Sequence, residues 1–167
     1  MQTKVVIKNF LLLILFIFVI CIKNVKSESI IEIDNPKFTE KGLDNKIYEI
    51  KAAKGFKSNQ ELKLISVEGK FKSENGVWIY LEAEYGNFSE ELNKIKLENN
   101  VVFYTDNKES FKSDFAEFDM ESDIIELKRN VEHSSKLGRI IADYSKIQNV
   151  NNVIYEGKVE TKLNIKN

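Results

Sequence analysis

Apolar and polar residues alternate with period two over most of the chain. In GVWIYLEAEYG (76–86), Val77, Ile79, Leu81, Ala83 and Tyr85 fall on one face, and Glu82 and Glu84 on the other. Tyr48, Ile50 and Ala52 alternate in the same way, as do Ala116, Phe118 and Met120, and Ile140, Ala142 and Tyr144. Successive side chains of a strand point to opposite faces, so this pattern predicts half-buried antiparallel strands. Polar segments rich in turn-forming residues separate them: SENG (73–76), NFSEELN (87–93), TDNKES (105–110), MESD (120–123), HSSKLG (133–138) and NVNN (149–152). Beyond residue 27 no helical period is sustained for more than about two turns. The prediction is an all-β protein with about eight or more short strands: a sandwich, a jelly roll or a related open β-stack.

A repeat of about thirty residues overlies the alternation. Each unit opens with an apolar-x-Ala step: IKA (50–52), LEA (81–83), the weaker DFA (114–116) and IIA (140–142). Each closes with a short polar step into a larger apolar residue: EGKF (68–71), ENNV (98–101), KRNV (128–131) and EGKV (156–159). The closing residues Phe71, Val101, Val131 and Val159 are spaced 30, 30 and 28 apart. Ala52, Ala83, Ala116 and Ala142, with Gly69 and Gly157, are small enough to let layers or a ligand approach closely; packing at a twist or bulge is the simpler reading. Pro36 precedes the first unit, so no repeat strand loses a ladder hydrogen bond to proline.

The pattern changes at the N-terminus. Residues 10–22 read FLLLILFIFVICI, thirteen apolar residues behind Lys4 and Lys8 with no acid before them. This has the form of a signal sequence. Counting back to Val5, with Lys8 reaching the headgroups, lengthens the stretch to 18 residues, about 27 Å of helix and enough to cross a bilayer. A retained transmembrane anchor over residues 1–27 is the preferred expectation, and a cleaved signal the open alternative. Both put residues 28–167 across the membrane, because the basic N-terminus stays in the cytoplasm. Cys21 reads as a small apolar helix residue, since Ile20 before it is too bulky for a lipoprotein cleavage site.

Composition sharpens this division. The net charge of −1 hides a leader with four lysines and no acid; the rest of the chain holds 21 basic and 26 acidic residues, a net of −5. That excess argues against nucleic acid, whose phosphates need a basic surface. One cysteine and one histidine exclude a disulfide framework and a His/Cys metal site. His133, in EHSSK (132–136), reads as a solvated turn residue rather than a catalytic base. Glu82, Glu84, Asp114, Glu117 and Asp119 read as a solvated sheet face rather than an acid/base pair or a calcium site. No glycine-rich phosphate loop is present. A non-enzymatic role is therefore expected.

The opening segment IDNPKFTEKGLDNKIYEIKAAKG (33–55), YLEAEYGNF (80–88), and the IELKRNV (125–131) and YEGKV (155–159) steps, in this order behind one apolar segment, resemble the LptC family of the OstA-like β-jellyroll superfamily. The related LptA proteins share the repeat but have a cleaved signal and lack the opening segment. The resemblance implies a twisted, open antiparallel β-jellyroll of about four hairpin-like repeats behind one transmembrane helix. It implies an inner-membrane, single-pass protein of a Gram-negative bacterium with its C-terminal domain in the periplasm, serving outer-membrane biogenesis. The implied function is lipopolysaccharide transport without a cofactor: acyl chains are received from the LptB, LptF and LptG transporter and passed to LptA. The expected groove lining is Ile50, Ile79, Leu81, Leu97, Phe103, Phe118, Leu127, Ile140 and Val159, a dry core being the alternative for each. The expected LptA-docking edge carries Tyr155, Gly157 and Val159. A soluble LptA-like bridge and a tethered adaptor with no lipid in its core remain open alternatives.

Overall fold

The computed structural model describes residues 29–41, 47–58, 61–73, 76–89, 91–148 and 152–164. The leader, residues 1–27, lies outside the described residues, and among those described no helix is long and apolar enough to cross a membrane. Eleven strands form one antiparallel sheet: β1 (Ile31–Asp34), β2 (Lys37–Lys41), β3 (Ile47–Lys57), β4 (Leu62–Lys72), β5 (Trp78–Ser89), β6 (Lys94–Thr105), β7 (Ser110–Asp119), β8 (Ile124–Ser135), β9 (Gly138–Gln148), β10 (Val153–Glu156) and β11 (Glu160–Leu163). From β3 to β9 each strand pairs with its sequence neighbours. At one edge β1 and β2 share the two halves of β3, and at the other β10 and β11 share the two halves of β9. The four repeat units fall on the successive pairs β3–β4, β5–β6 and β7–β8, and on β9 with its edge partners.

The long strands run to 10–12 residues where short ones were expected. Each breaks its alternation once near its middle. In β5 Ile79, Leu81 and Ala83 are buried, after which Gly86 and Phe88 are. Tyr85, expected on the apolar face, is therefore 48% exposed. Tyr144 is displaced from the inner face in the same way, with Ser145 and Ile147 buried after Ala142. From β5 to β9 the break coincides with a row of β-bulges, whereas β3–β4 and β4–β5 pair without a register shift. Register shifts fall between Glu82 and Tyr85, between Glu98 and Val101, between Lys112 and Phe115, and between Lys128 and Val131. An unpaired extra residue bends a strand and increases its twist.

The chemistry of this row is specific. Asn99 and Asn100 have φ of 61° and 50°, and thirty residues on Arg129 and Asn130 have 64° and 51°. Asparagine tolerates the left-handed region better than most residues, and the ENNV and KRNV steps are crease residues within strands. Neighbouring strands hold them with carboxylates. Glu84 accepts from the Asn99 and Asn100 side chains, Asp114 accepts from Asn130 Nδ2 at 2.7 Å, and Asp143 accepts from the backbone N–H of Lys158 at 3.0 Å. Ala52, Ala83, Ala116 and Ala142 are all buried beside the crease, which is the packing role the small repeat residues suggested. At Gly157 (φ 87°) a Cβ would lie 2.4 Å from Asp143 Oδ2, so only glycine fits.

The crease folds the sheet lengthwise on itself in a jellyroll-like arrangement, and the two arms bury their inner faces against each other. Phe118, on the second arm, stacks on Phe71 of the first with ring centroids 4.7 Å apart and meets Tyr48 edge-on at 5.5 Å. Phe38 stacks on Phe88 at 5.0 Å. The Tyr48 hydroxyl donates to Asp123 in the β7–β8 turn. Outside, charges pair loosely: Lys94 lies 3.5 Å from Glu117 and 3.2 Å from Asp119, and Glu49 sits among Lys37, Lys51 and Lys70. Exposed pairs of this kind contribute little, so the inter-arm packing carries stability. Phe118→Ala is expected to lower unfolding free energy by about 3–5 kcal/mol and Glu82→Ala by under about 0.5. Urea unfolding followed by Trp78 fluorescence checks this, and a Phe118→Ala loss below about 1 kcal/mol would contradict it.

Candidate functional site

The interior between the arms is where the expected lining residues meet. Ile50, Ile79, Leu81, Phe103 and Ile140 come from the first arm, and Leu97, Phe118 and Leu127 from the second, all on the inner face. Seven are 0–7% exposed, packed into one cluster with Tyr48, Phe71, Ile95, Val101 and their neighbours. Ile140 is half-buried. Val159 stands apart: it is 48% exposed and lies in the break between β10 and β11. Hollows of about 200 and 340 Å³ lie on the outer faces, the first bordered by Glu49, Lys70, Tyr80 and Tyr104, the second by Phe56, Ile65, Tyr85 and Lys96.

The interior is densely filled in its middle and thins at its two ends. At the β1/β2 end Ile33 and Phe38 are half-buried and Ile31 is 60% exposed. At the β10/β11 end Val153 and Tyr155 are half-buried and pack against the core, while Leu163 is 69% exposed. Register with β9 puts Val153 and Tyr155 on the inner face of one arm, and Leu163 on that of the other. These ends are the mouths of the interior, where the inner face is only partly covered among the described residues.

The expected docking residues divide between roles. Tyr155 turns into the mouth, Gly157 forms the end of the crease, and Val159 faces solvent. Among the described residues β10 and β11 pair only with β9, and β1 and β2 only with β3, so each end is also a sheet edge. Such edges present unpaired backbone groups to a further strand.

His133 is not a turn residue. β8 extends to Ser135, and the chain reverses over Lys136 and Leu137, so His133 lies within the strand facing inward. Its ring stacks on Phe111 at 4.1 Å and 10°, and on Tyr155 at 6.0 Å and 11°. Its Nδ1 is hydrogen-bonded to the Tyr155 hydroxyl. Burial lowers the His133 pKa, against the opposing charge of Glu109, and pushes the Tyr155 hydroxyl up to about 12. The pair is therefore neutral at pH 7. This contact, between residues 22 apart in sequence, has no periodic signal that could reveal it. The crease carboxylates do have one, since Glu84, Asp114 and Asp143 recur at spacings of 30 and 29. The remaining acids noted in the sequence, Glu82, Glu117 and Asp119, lie on the outer face, where Glu82 accepts from the Tyr104 hydroxyl at 2.9 Å.

Among the described residues no group of three or more His, Cys, Asp or Glu side chains is placed to hold a metal ion. No protein-family model matches the sequence, and no curated protein matches it significantly. The contrast between middle and mouth can be measured. Leu127→Ala, at a wholly buried position, is expected to cost about 2–5 kcal/mol, and Val159→Ala under about 1 kcal/mol, in the same urea titration. Equal costs would remove the distinction.

Proposed function

We propose that this chain is a non-enzymatic carrier of lipid acyl chains: an LptC-like component of lipopolysaccharide export, with a β-jellyroll domain in the periplasm and an inner-membrane anchor in residues 1–27. In this reading acyl chains come from the LptB, LptF and LptG transporter and pass to LptA. The observation that carries the reading is the connectivity of the sheet. The ladders follow one path from β1 to β10, with β2 added on β3 and β11 on β9, and among the described residues no strand pair bridges the two arms. Parting the arms therefore breaks side-chain contacts but no ladder hydrogen bond. An acyl chain entering between them would replace those contacts with its own. At about 0.8 kcal/mol per buried methylene, a chain of roughly a dozen carbons gains about 10 kcal/mol by leaving water. The apolar leader and the two free edges support the same reading, an edge offering strand addition to a neighbouring module.

A tethered adaptor with no lipid in its core is the second reading. The dense middle of the interior favours it, since Leu97, Ile95, Phe118 and Leu127 are each 0% exposed.

Photo-crosslinking residues placed at Ile50, Leu81 and Ile140 are expected to label with lipopolysaccharide in cells, and those at Glu82 and Glu84 on the outer face are not. Equal labelling of both faces, or labelling of neither, favours the adaptor. Deleting residues 153–167 is expected to abolish capture of LptA while leaving association with the transporter. Loss of both would count against docking through the β10/β11 edge.

A further inference from the structure

The β10/β11 mouth contains the only histidine of the chain, and its surroundings differ from those of every other inner-face position. His133 belongs to the first arm and Tyr155 to the second, so their hydrogen bond and stacked rings join the arms across the mouth. Phe111 backs the histidine from the other side and completes a three-ring stack. Two buried polar atoms here, His133 Nε2 and Ser145 Oγ, have no hydrogen-bonding partner among the described residues. Both flank Tyr155, since Ser145 is its register partner on β9. Unpaired buried polar atoms disfavour the closed state and regain partners when water enters. The closed mouth is thus held by one neutral pair and opposed by two orphaned groups.

We propose that His133 and Tyr155 form an acid-sensitive clasp that closes the interior at this mouth and releases the β10 end of the second arm when His133 is protonated. Protonation turns Nδ1 from acceptor to donor, so the Tyr155 hydroxyl must reverse its role in the bond, and it buries a charge whose second N–H, at Nε2, has no partner among the described residues. Glu109, from the β6–β7 turn, is the carboxylate whose charge reaches the ring and partly offsets this. Phe111 of β7 and Ile140 of β9 bring no charge, and Tyr155 of β10 brings only its hydroxyl. Glu132 pairs with Arg139 rather than with the ring.

The sign follows from burial, which depresses the pKa below its ordinary 6.5. The clasp contributes fully above that value and is lost as pH falls below it toward the depressed pKa. It does not rest on lipid carriage, because the protein alone reports it. In the full chain, hydrogen exchange at the amides of residues 153–156, corrected for intrinsic rates, is expected to lose protection about tenfold per pH unit below about 6.5. Amides of β4 and β5 should keep theirs. His133→Phe, which retains a stacking ring, should make the β10 protection independent of pH. In the parent protein the His133 ring should titrate below 6.5 by NMR, and Tyr155→Phe should move that midpoint upward. A flat β10 profile in the parent, a slope that survives in His133→Phe, or a ring midpoint at or above 6.5 would overturn the proposal.

Discussion

One constraint governs the molecule: a single sheet with one apolar face and no second layer must cover that face with itself. This sheet does not close into a barrel, since among the described residues its two edges do not pair with each other, and helices are absent from those residues. The solution is a crease, in which each long strand carries one irregularity at the same level. The left-handed pairs Asn99–Asn100 and Arg129–Asn130 supply the bend, and Glu84, Asp114 and Asp143 occupy the polar groups it exposes. Aromatic packing of Tyr48 and Phe71 on Phe118 then holds the arms together. Remove the crease and there is no interior, because the two arms would present the same apolar face to water.

This architecture separates two kinds of cohesion. Ladder hydrogen bonds run along the sheet, and the contacts between the arms are mainly apolar, joined by the Tyr48–Asp123 and His133–Tyr155 pairs. The first kind fixes the topology and is indifferent to the distance between arms. The second is non-directional and exchangeable for other apolar surface. A protein built this way can hold its own side chains in its middle and still yield at its ends, where Ile31, Val159 and Leu163 already lack full cover. Among the described residues a titratable contact, that of His133 and Tyr155, reaches from arm to arm at the β10/β11 mouth and gives that end a chemistry of its own.

Much of this was legible in the sequence, and the failures share one cause. Period-two alternation located the strands, and the thirty-residue repeat located the crease, because Val101 and Val131 are the first buried residues after the left-handed pairs. In the sequence the ENN and KRN steps show only as the polar closing steps of the repeat, without their place inside long strands. Asparagine meets the same φ requirement in a bulge as in a turn, so long creased strands looked like shorter ones. At the crease the inner face passes between residues three apart on β5 and β9, from Ala83 to Gly86 and from Ala142 to Ser145, which is why Tyr85 and Tyr144 were expected inside and lie outside. The inner faces of Ile50 through Leu127 followed from alternation alone. The neighbours of His133 did not, since they depend on how the arms close.

The central claim is that the interior between the arms admits acyl chains. Methyl NMR of the full chain with a saturated medium-chain fatty acid tests it most directly. The account predicts intermolecular NOEs from chain methylenes to Ile140, Leu81 and Leu127, and none to Ile65 or Val102 on the outer faces. NOEs confined to the outer faces, or none at saturating fatty acid, would contradict it.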